Sequence, residues 1–319
     1  MKNASHSSPV FSSSLDLIGN TPLIELSRIY QGPGRILGKA EFIQPGASVK
    51  DRVALEVIQN ARKSNLLAPG QPVVEMTSGN TGAGLAVVCN LLGHPFTAVM
   101  SAGNSPARVQ MLEGFGAKVV LTPQVNGKPN SVTGQDIAAA VEEAKRIAAE
   151  TNAYYVNQFQ NPGCVSAHIH TTGPEIFRDT EGGVTAFVAG AGTGGTFIGT
   201  SQYLKSQNKN IFCAVVEPEG ADILAGNPVV SPRHLMQGMG YGIPLPHWDP
   251  TVVDTFLTVS SEEATLFRKR LAQEEGLYLG FSSAANVCAS IKLLESGQLP
   301  VAESTHTVVT ILCDTGLKY

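Results

Sequence analysis

Cysteine is sparse and unpatterned in this chain of 319 residues. The five thiols, Cys89, Cys164, Cys213, Cys288 and Cys313, contain no C-x-x-C pair. That spacing argues against a zinc ribbon and a thioredoxin-like site, and reads as reduced core residues. Charge is scarce as well. Charged residues make up 15% of the chain, the net charge is -4, and no block of like charges occurs. Nothing in that balance points to nucleic acid or an anionic membrane. No stretch has the length and purity of a transmembrane helix. The opening "MKNASHSSPVFSSS" lacks the apolar centre of a secretory signal. The expectation is a cytoplasmic protein whose residues 1–14 form a flexible tail.

What the chain does have is apolar residues, 43%, and 33 glycines. β-rich runs alternate with helical patterns nearly throughout. Strands are predicted at 72–75, 96–100, 118–121, 154–157, 186–189, 212–217, 256–259 and 307–312. Helices are predicted to start near Ser48, Thr81, Pro106, Gly134, Pro162, Gly194, Ser260 and Ser282. Such alternation predicts an α/β fold with mostly parallel sheets flanked by helices. The acidic pairs Glu142–Glu143, Glu262–Glu263 and Glu274–Glu275 read as solvated helix faces.

Parallel α/β proteins bind ligands where strand ends meet helix starts. Three such junctions stand out. "EMTSGNTG" (75–82) offers backbone N–H groups and the hydroxyls of Thr77, Ser78 and Thr81, a cradle for a carboxylate or simply a capped turn. "GAGTGGT" (190–196) allows close backbone approach and adds Thr193 and Thr196, which suits a phosphate monoester. It also matches G-x-G-x-x-G, with Glu217 placed as a ribose-binding acid, so a nicotinamide dehydrogenase is a rival reading. "DTG" (314–316) closes the third. In "GASVKDR" (46–52), Lys50 follows a predicted Ser48 cap, at the positive end of a helix. That placement, with partial burial, lowers an amine's pKa. His168 and His170, two residues apart in a predicted helix, do not share a face for a metal, and no metal site is expected.

A lysine, a phosphate loop and a carboxylate loop are the set that pyridoxal phosphate chemistry requires. Together "LIGNTPLIEL" (17–26), "GASVKDR", "TSGNTG", "NQFQNPG", "TTGPEI", "GTGGT" and "DTG" make the chain similar to the cysteine synthase family. These are fold type II pyridoxal phosphate enzymes, which also include cystathionine β-synthase. The resemblance implies a tryptophan synthase β-like fold of two domains. Residues 15–46 plus 158–319 would form the larger, cofactor-binding domain, and 47–157 a smaller mobile one.

By position, the resemblance implies that Lys50 is the Schiff-base lysine and catalytic base, and that Asn80 bonds the cofactor's 3′-oxygen. Gly192, Thr193, Gly194, Gly195 and Thr196 would hold the phosphate, and Thr315 would face the ring nitrogen. Thr77, Ser78, Gly79, Asn80 and Thr81, helped by Gln158, would hold the substrate carboxylate. The segment 237–246, with Gly238 and with Tyr241 in place of a small residue, would face the substrate's β-substituent. The implied reaction is β-replacement, forming L-cysteine from O-acetyl-L-serine and sulfide through an α-aminoacrylate. Cystathionine or diaminopropionate-type synthesis, cysteine β-elimination, an NAD-dependent dehydrogenase and a non-catalytic regulatory homologue are the alternatives. A homodimer and docking of serine acetyltransferase are implied by the resemblance alone.

Overall fold

A computed structural model describes residues 10–129, 132–241, 244–299 and 305–319. The strands are β1 (Leu23–Glu25), β2 (Arg35–Ala40), β3 (Val73–Met76), β4 (Phe96–Ser101), β5 (Lys118–Thr122), β6 (Tyr154–Tyr155), β7 (Ala186–Gly190), β8 (Phe212–Pro218), β9 (Thr255–Val259) and β10 (Thr307–Leu312). The α-helices are α1 (Lys50–Lys63), α2 (Asn80–Leu91), α3 (Pro106–Gly114), α4 (Gly134–Thr151), α5 (Gly163–Ala167), α6 (Gly173–Asp179), α7 (Gly195–Gln207), α8 (Ser261–Glu274) and α9 (Phe281–Glu295). All eight predicted strands and all eight predicted helix starts are present within a residue or two. The strands β1 and β2 were not anticipated.

Two sheets result. The larger runs β1-β2-β10-β7-β8-β9, with β1 antiparallel to β2 and every other pair parallel. The smaller runs β5-β4-β3-β6 and is parallel throughout. The chain leaves the larger sheet after β2, builds the smaller one, and returns at β7. Parallel strands covered on both faces read as continuous apolar runs, and all six residues of β10 are buried. Val309 and Ile311 join a core with Phe197 and Ile198 of α7, while Val308 joins a second core with Ala285 and Ala289 of α9.

Local signals set the helix ends. Thr133 with Asp136, and Ser260 with Glu263, form capping boxes that open α4 and α8. The acidic pair of α4 lies at the surface, where Glu142 and Glu143 bond Lys145 and Arg146. Residues 1–9 of the expected tail lie outside the described residues. At its other end Ser13 caps a short 3₁₀ turn, Ser14–Leu17. Among the described residues no helix is long and apolar enough to cross a membrane.

A buried ion cluster ties the crossing points of the chain together. Arg52 on α1 donates to Glu41, just after β2, at 2.6 Å, and to Glu175 on α6, also at 2.6 Å. Lys39 on β2 pairs with the same Glu175 at 2.8 Å. Burial pushes the Glu175 carboxyl up, but hydrogen bonds and charge from Arg52 and Lys39 win and hold it at about 2. Removing one member strands the others in a low-dielectric interior. Arg52→Met is expected to cost about 3–5 kcal/mol, read as a lower urea midpoint at an unchanged m-value.

Candidate active site

The site forms where strand ends from both sheets converge. β7 and β10 are paired neighbours, so the loops that follow them lie side by side. β3, inside the smaller sheet, delivers residues 77–80 from the opposite wall. Lys50 is brought in by the backbone: the Val49 N–H donates to Cys313 O at 2.9 Å, and Ser48 forms a β-bridge with Asp314. Ser48 is not the N-cap, which falls at Val49, but its hydroxyl accepts the Lys50 N–H at 3.3 Å. Lys50, Asn80, Gly192, Thr193, Gly194, Gly195, Thr196 and Gly238 line one cavity.

The glycine loop is an anion cradle at the start of a 13-residue helix. Gly194 adopts φ +88°, the left-handed region, as the cap of α7. A Cβ on Gly192 would collide with the Gly238 carbonyl, and one on Gly195 with the Cys164 carbonyl. Backbone therefore approaches where side chains cannot fit. Thr196 Oγ1 meets Nε2 of His168 at 3.2 Å, and Thr172 Oγ1 meets its Nδ1 at 2.9 Å. His168 is fully buried. Burial, then the charges of Arg52 and Lys50, hold its pKa well below the usual histidine value, so the ring is neutral. His170 instead contacts Glu56 at 3.0 Å near the surface. The described residues contain no cluster of three or more potential metal ligands.

The hydroxyls of the 77–81 loop divide their work. Thr77 Oγ1 accepts the Gly82 N–H, in the first turn of α2, at 3.0 Å. Ser78 Oγ accepts from Arg108 on α3 at 3.1 Å, and Arg108 also donates to Gln237 across the cavity mouth. Gly79 is the α2 N-cap. Thr81 donates to Gln158 at 2.7 Å. Gln158 donates in turn to Glu75 at the end of β3, at 3.2 Å, and Asn157 N–H donates there at 2.7 Å. Glu75 was not anticipated; a charged residue ending a buried strand was the available signal. Burial pushes its carboxyl up to about 8, against those hydrogen bonds.

Seven of the expected site residues, Thr77, Ser78, Gly79, Thr81, Gln158, Tyr241 and Thr315, are not among those lining this cavity. Thr315 does not line the cavity; its hydroxyl accepts the Leu317 N–H at 3.2 Å and caps a closing 3₁₀ turn. Ser282, in the first turn of α9, does line the cavity and brings a hydroxyl that was not anticipated. Tyr241 is 43% exposed and packs edge-on against Phe159, with centroids 5.6 Å apart, at the rim. Asn286, Cys313, Asp314 and Tyr319 also line the cavity and were not anticipated there. Asn286 receives the Gly190 N–H at 2.9 Å and donates to Ile311 O at 2.9 Å, clamping the ends of β7 and β10 together. Burial pushes the Cys313 thiol up to about 12, so it is protonated at neutral pH. Glu217 is spent on the N–H groups of Leu224 and Ala225, at 2.9 and 3.0 Å, which leaves the dehydrogenase reading without its ribose acid.

An amine at a helix start, facing an anion cradle that side chains cannot enter, fits pyridoxal phosphate. Fold and cavity together define a fold type II enzyme of that cofactor. The chain belongs to the pyridoxal-phosphate dependent enzymes, whose family profile matches residues 15–314. It is 37% identical to cysteine synthase A of Escherichia coli (strain K12), over 98% of this chain and 94% of that one. O-acetyl serine sulfhydrylase isoform 3 from Entamoeba histolytica superposes with a TM-score of 0.89 at 32% identity, covering 100% of this chain and 92% of that one. A hydrogen sulfide-producing enzyme from Fusobacterium nucleatum also gives 0.89 at 32%, covering 98% and 99%.

Two predictions follow from this geometry. Thr315→Ala should leave pyridoxal phosphate affinity within about twofold, because only the cap of the closing turn is lost, whereas Ser282→Ala should alter the absorbance of the bound cofactor. Glu75 gives a pH signature. Its folded pKa of about 8 exceeds the ordinary 4.5, so the folded state binds more protons between those values and stability falls as pH rises through that window. Glu75→Gln should flatten that part of the curve, measured as urea midpoints from pH 4.5 to 8.5.

Proposed function

We propose that the protein forms L-cysteine from O-acetyl-L-serine and sulfide. One observation carries this reading: Lys50, the 192–196 cradle and Asn80, which opens α2, line one cavity. Relatives bearing cysteine synthase names at 37% identity support it. Pyridoxal phosphate, when bound, withdraws electrons from the substrate's α-carbon. The rest falls to this chain's residues. The α7 N-terminus, Thr193 and Thr196 hold the phosphate. Backbone N–H groups of residues 78–81 and the Thr81 hydroxyl, steadied by Gln158 and Glu75, seat the substrate carboxylate. Lys50 Nζ takes the α-proton as general base and returns it after the nucleophile has added. Arg108 and Gln237 cover the mouth and limit water.

A second reading is another β-replacement or a cysteine β-elimination, and Tyr241 favours it. Its ring, paired with Phe159, narrows the rim where the β-substituent and nucleophile would pass. A homodimer, serine acetyltransferase docking and a cytoplasmic location rest on the family resemblance; light scattering with and without a serine acetyltransferase peptide tests the first two.

Steady-state assays with O-acetylserine and sulfide should show turnover that Lys50→Ala lowers by about 10³-fold or more while the protein still folds. Product analysis with sulfide, homocysteine or cysteine alone separates the two readings. No turnover with any donor would leave the regulatory homologue.

A further inference from the structure

Asn80 is held on both sides of its amide. Lys318 Nζ donates to Asn80 Oδ1 at 2.7 Å, and Asn80 Nδ2 donates to Asp314 Oδ2 at 2.7 Å. The ammonium carries only donors, and an ionised carboxylate carries only acceptors. The amide therefore has one permitted orientation, carbonyl toward Lys318 and NH₂ toward Asp314. A flipped amide would set NH₂ against ammonium and carbonyl against carboxylate. The NH₂ group has two protons. Asp314 takes one, and the other is left for the cavity that Asn80 lines.

Lys318 is itself fixed. It is half-buried, and its ammonium also donates to Gly46 O at 2.6 Å. Asp314 is 1% exposed and accepts a second bond from the Tyr319 hydroxyl at 2.8 Å. Arg268 clamps this segment from outside. Its guanidinium lies 4.6 Å from the Tyr278 ring and 5.9 Å from the Tyr319 ring, and it donates to Gly316 O at 3.0 Å. The 314–319 segment is thus built against the site by named contacts on three sides.

We propose that Lys318 is a positioning residue: with Asp314 it sets the Asn80 amide so that one N–H faces the bound cofactor. This inference rests on the pyridoxal phosphate reading of the cavity. A merely structural lysine would act independently of Asn80, whereas a positioning lysine acts through it.

A double-mutant cycle on apoprotein separates the two, with pyridoxal phosphate affinity measured by equilibrium dialysis. Lys318→Met should weaken binding on the order of tenfold, the scale of a charge-assisted hydrogen bond. Lys318→Arg, which keeps the donor, should recover most of it. In an Asn80→Ala background, Lys318→Met should add less than about twofold, the mark of a shared pathway. Unchanged affinity in a folded Lys318→Met protein, or a full tenfold loss in the Asn80→Ala background, would overturn the proposal. Wild-type apoprotein that binds no pyridoxal phosphate would instead overturn the cofactor reading beneath it.

Discussion

Lys50 owes its place to a short piece of backbone pairing. The Val49 N–H to Cys313 O bond and the Ser48–Asp314 bridge fasten the start of α1 to the end of β10. Everything else in the site is referenced to that seam. β10 pairs with β7, so pinning Lys50 to β10 also fixes its distance from the glycine cradle that follows β7. Asp314, at the seam, bonds Asn80 from the smaller sheet. One junction therefore aligns an amine, an anion site and an amide that come from three separate parts of the chain. Backbone pairing suits this task because it has no rotamers to lose.

The polar groups around the cavity are buried at a cost, and the structure offsets it by pairing. Glu75, His168 and Asp314 each lose water, yet each meets at least two partners. They also act in one direction. Glu75 orients Gln158, which orients Thr81; His168 faces Thr196; Asp314 and Lys318 orient Asn80. A first layer of hydroxyls and amides is thereby held by a second layer, and small displacements of such groups matter strongly to catalysis.

Much of this was legible in the sequence. Apolar runs and glycine-rich turns located the strands, because parallel strands must be buried and strand–helix turns must accommodate close backbone approach. The lysine, the cradle and the carboxylate loop were legible for the same reason: their signal is local. The unanticipated features are the ones without a local signal. β1 has only three residues and is not buried, and β2, RILGKA, carries Gly38 and the buried Lys39, which interrupt its apolar run. Thr315 stands next to the seam in sequence, yet its hydroxyl turns to its own backbone, as Thr does at a cap. Ser282 is 33 positions earlier and reaches the cavity only because α9 starts beneath it. Side-chain direction is a tertiary property, and motif position does not report it.

The two sheets are joined at two levels. They are joined below the cavity by the Arg52 cluster, which is almost wholly buried, with side-chain exposures of 1%, 0% and 6% for Arg52, Glu41 and Glu175. At the mouth they are joined by Arg108 with Gln237 and by Phe159 with Tyr241. The rim contacts are few, polar or aromatic, and open to solvent, so water replaces them at little cost. The cluster below cannot be parted without stranding charge in the interior. The rim is therefore the weaker of the two connections and the buried base the stronger. The buried base and the seam with β10 together hold the start of α1, and Lys50 with it.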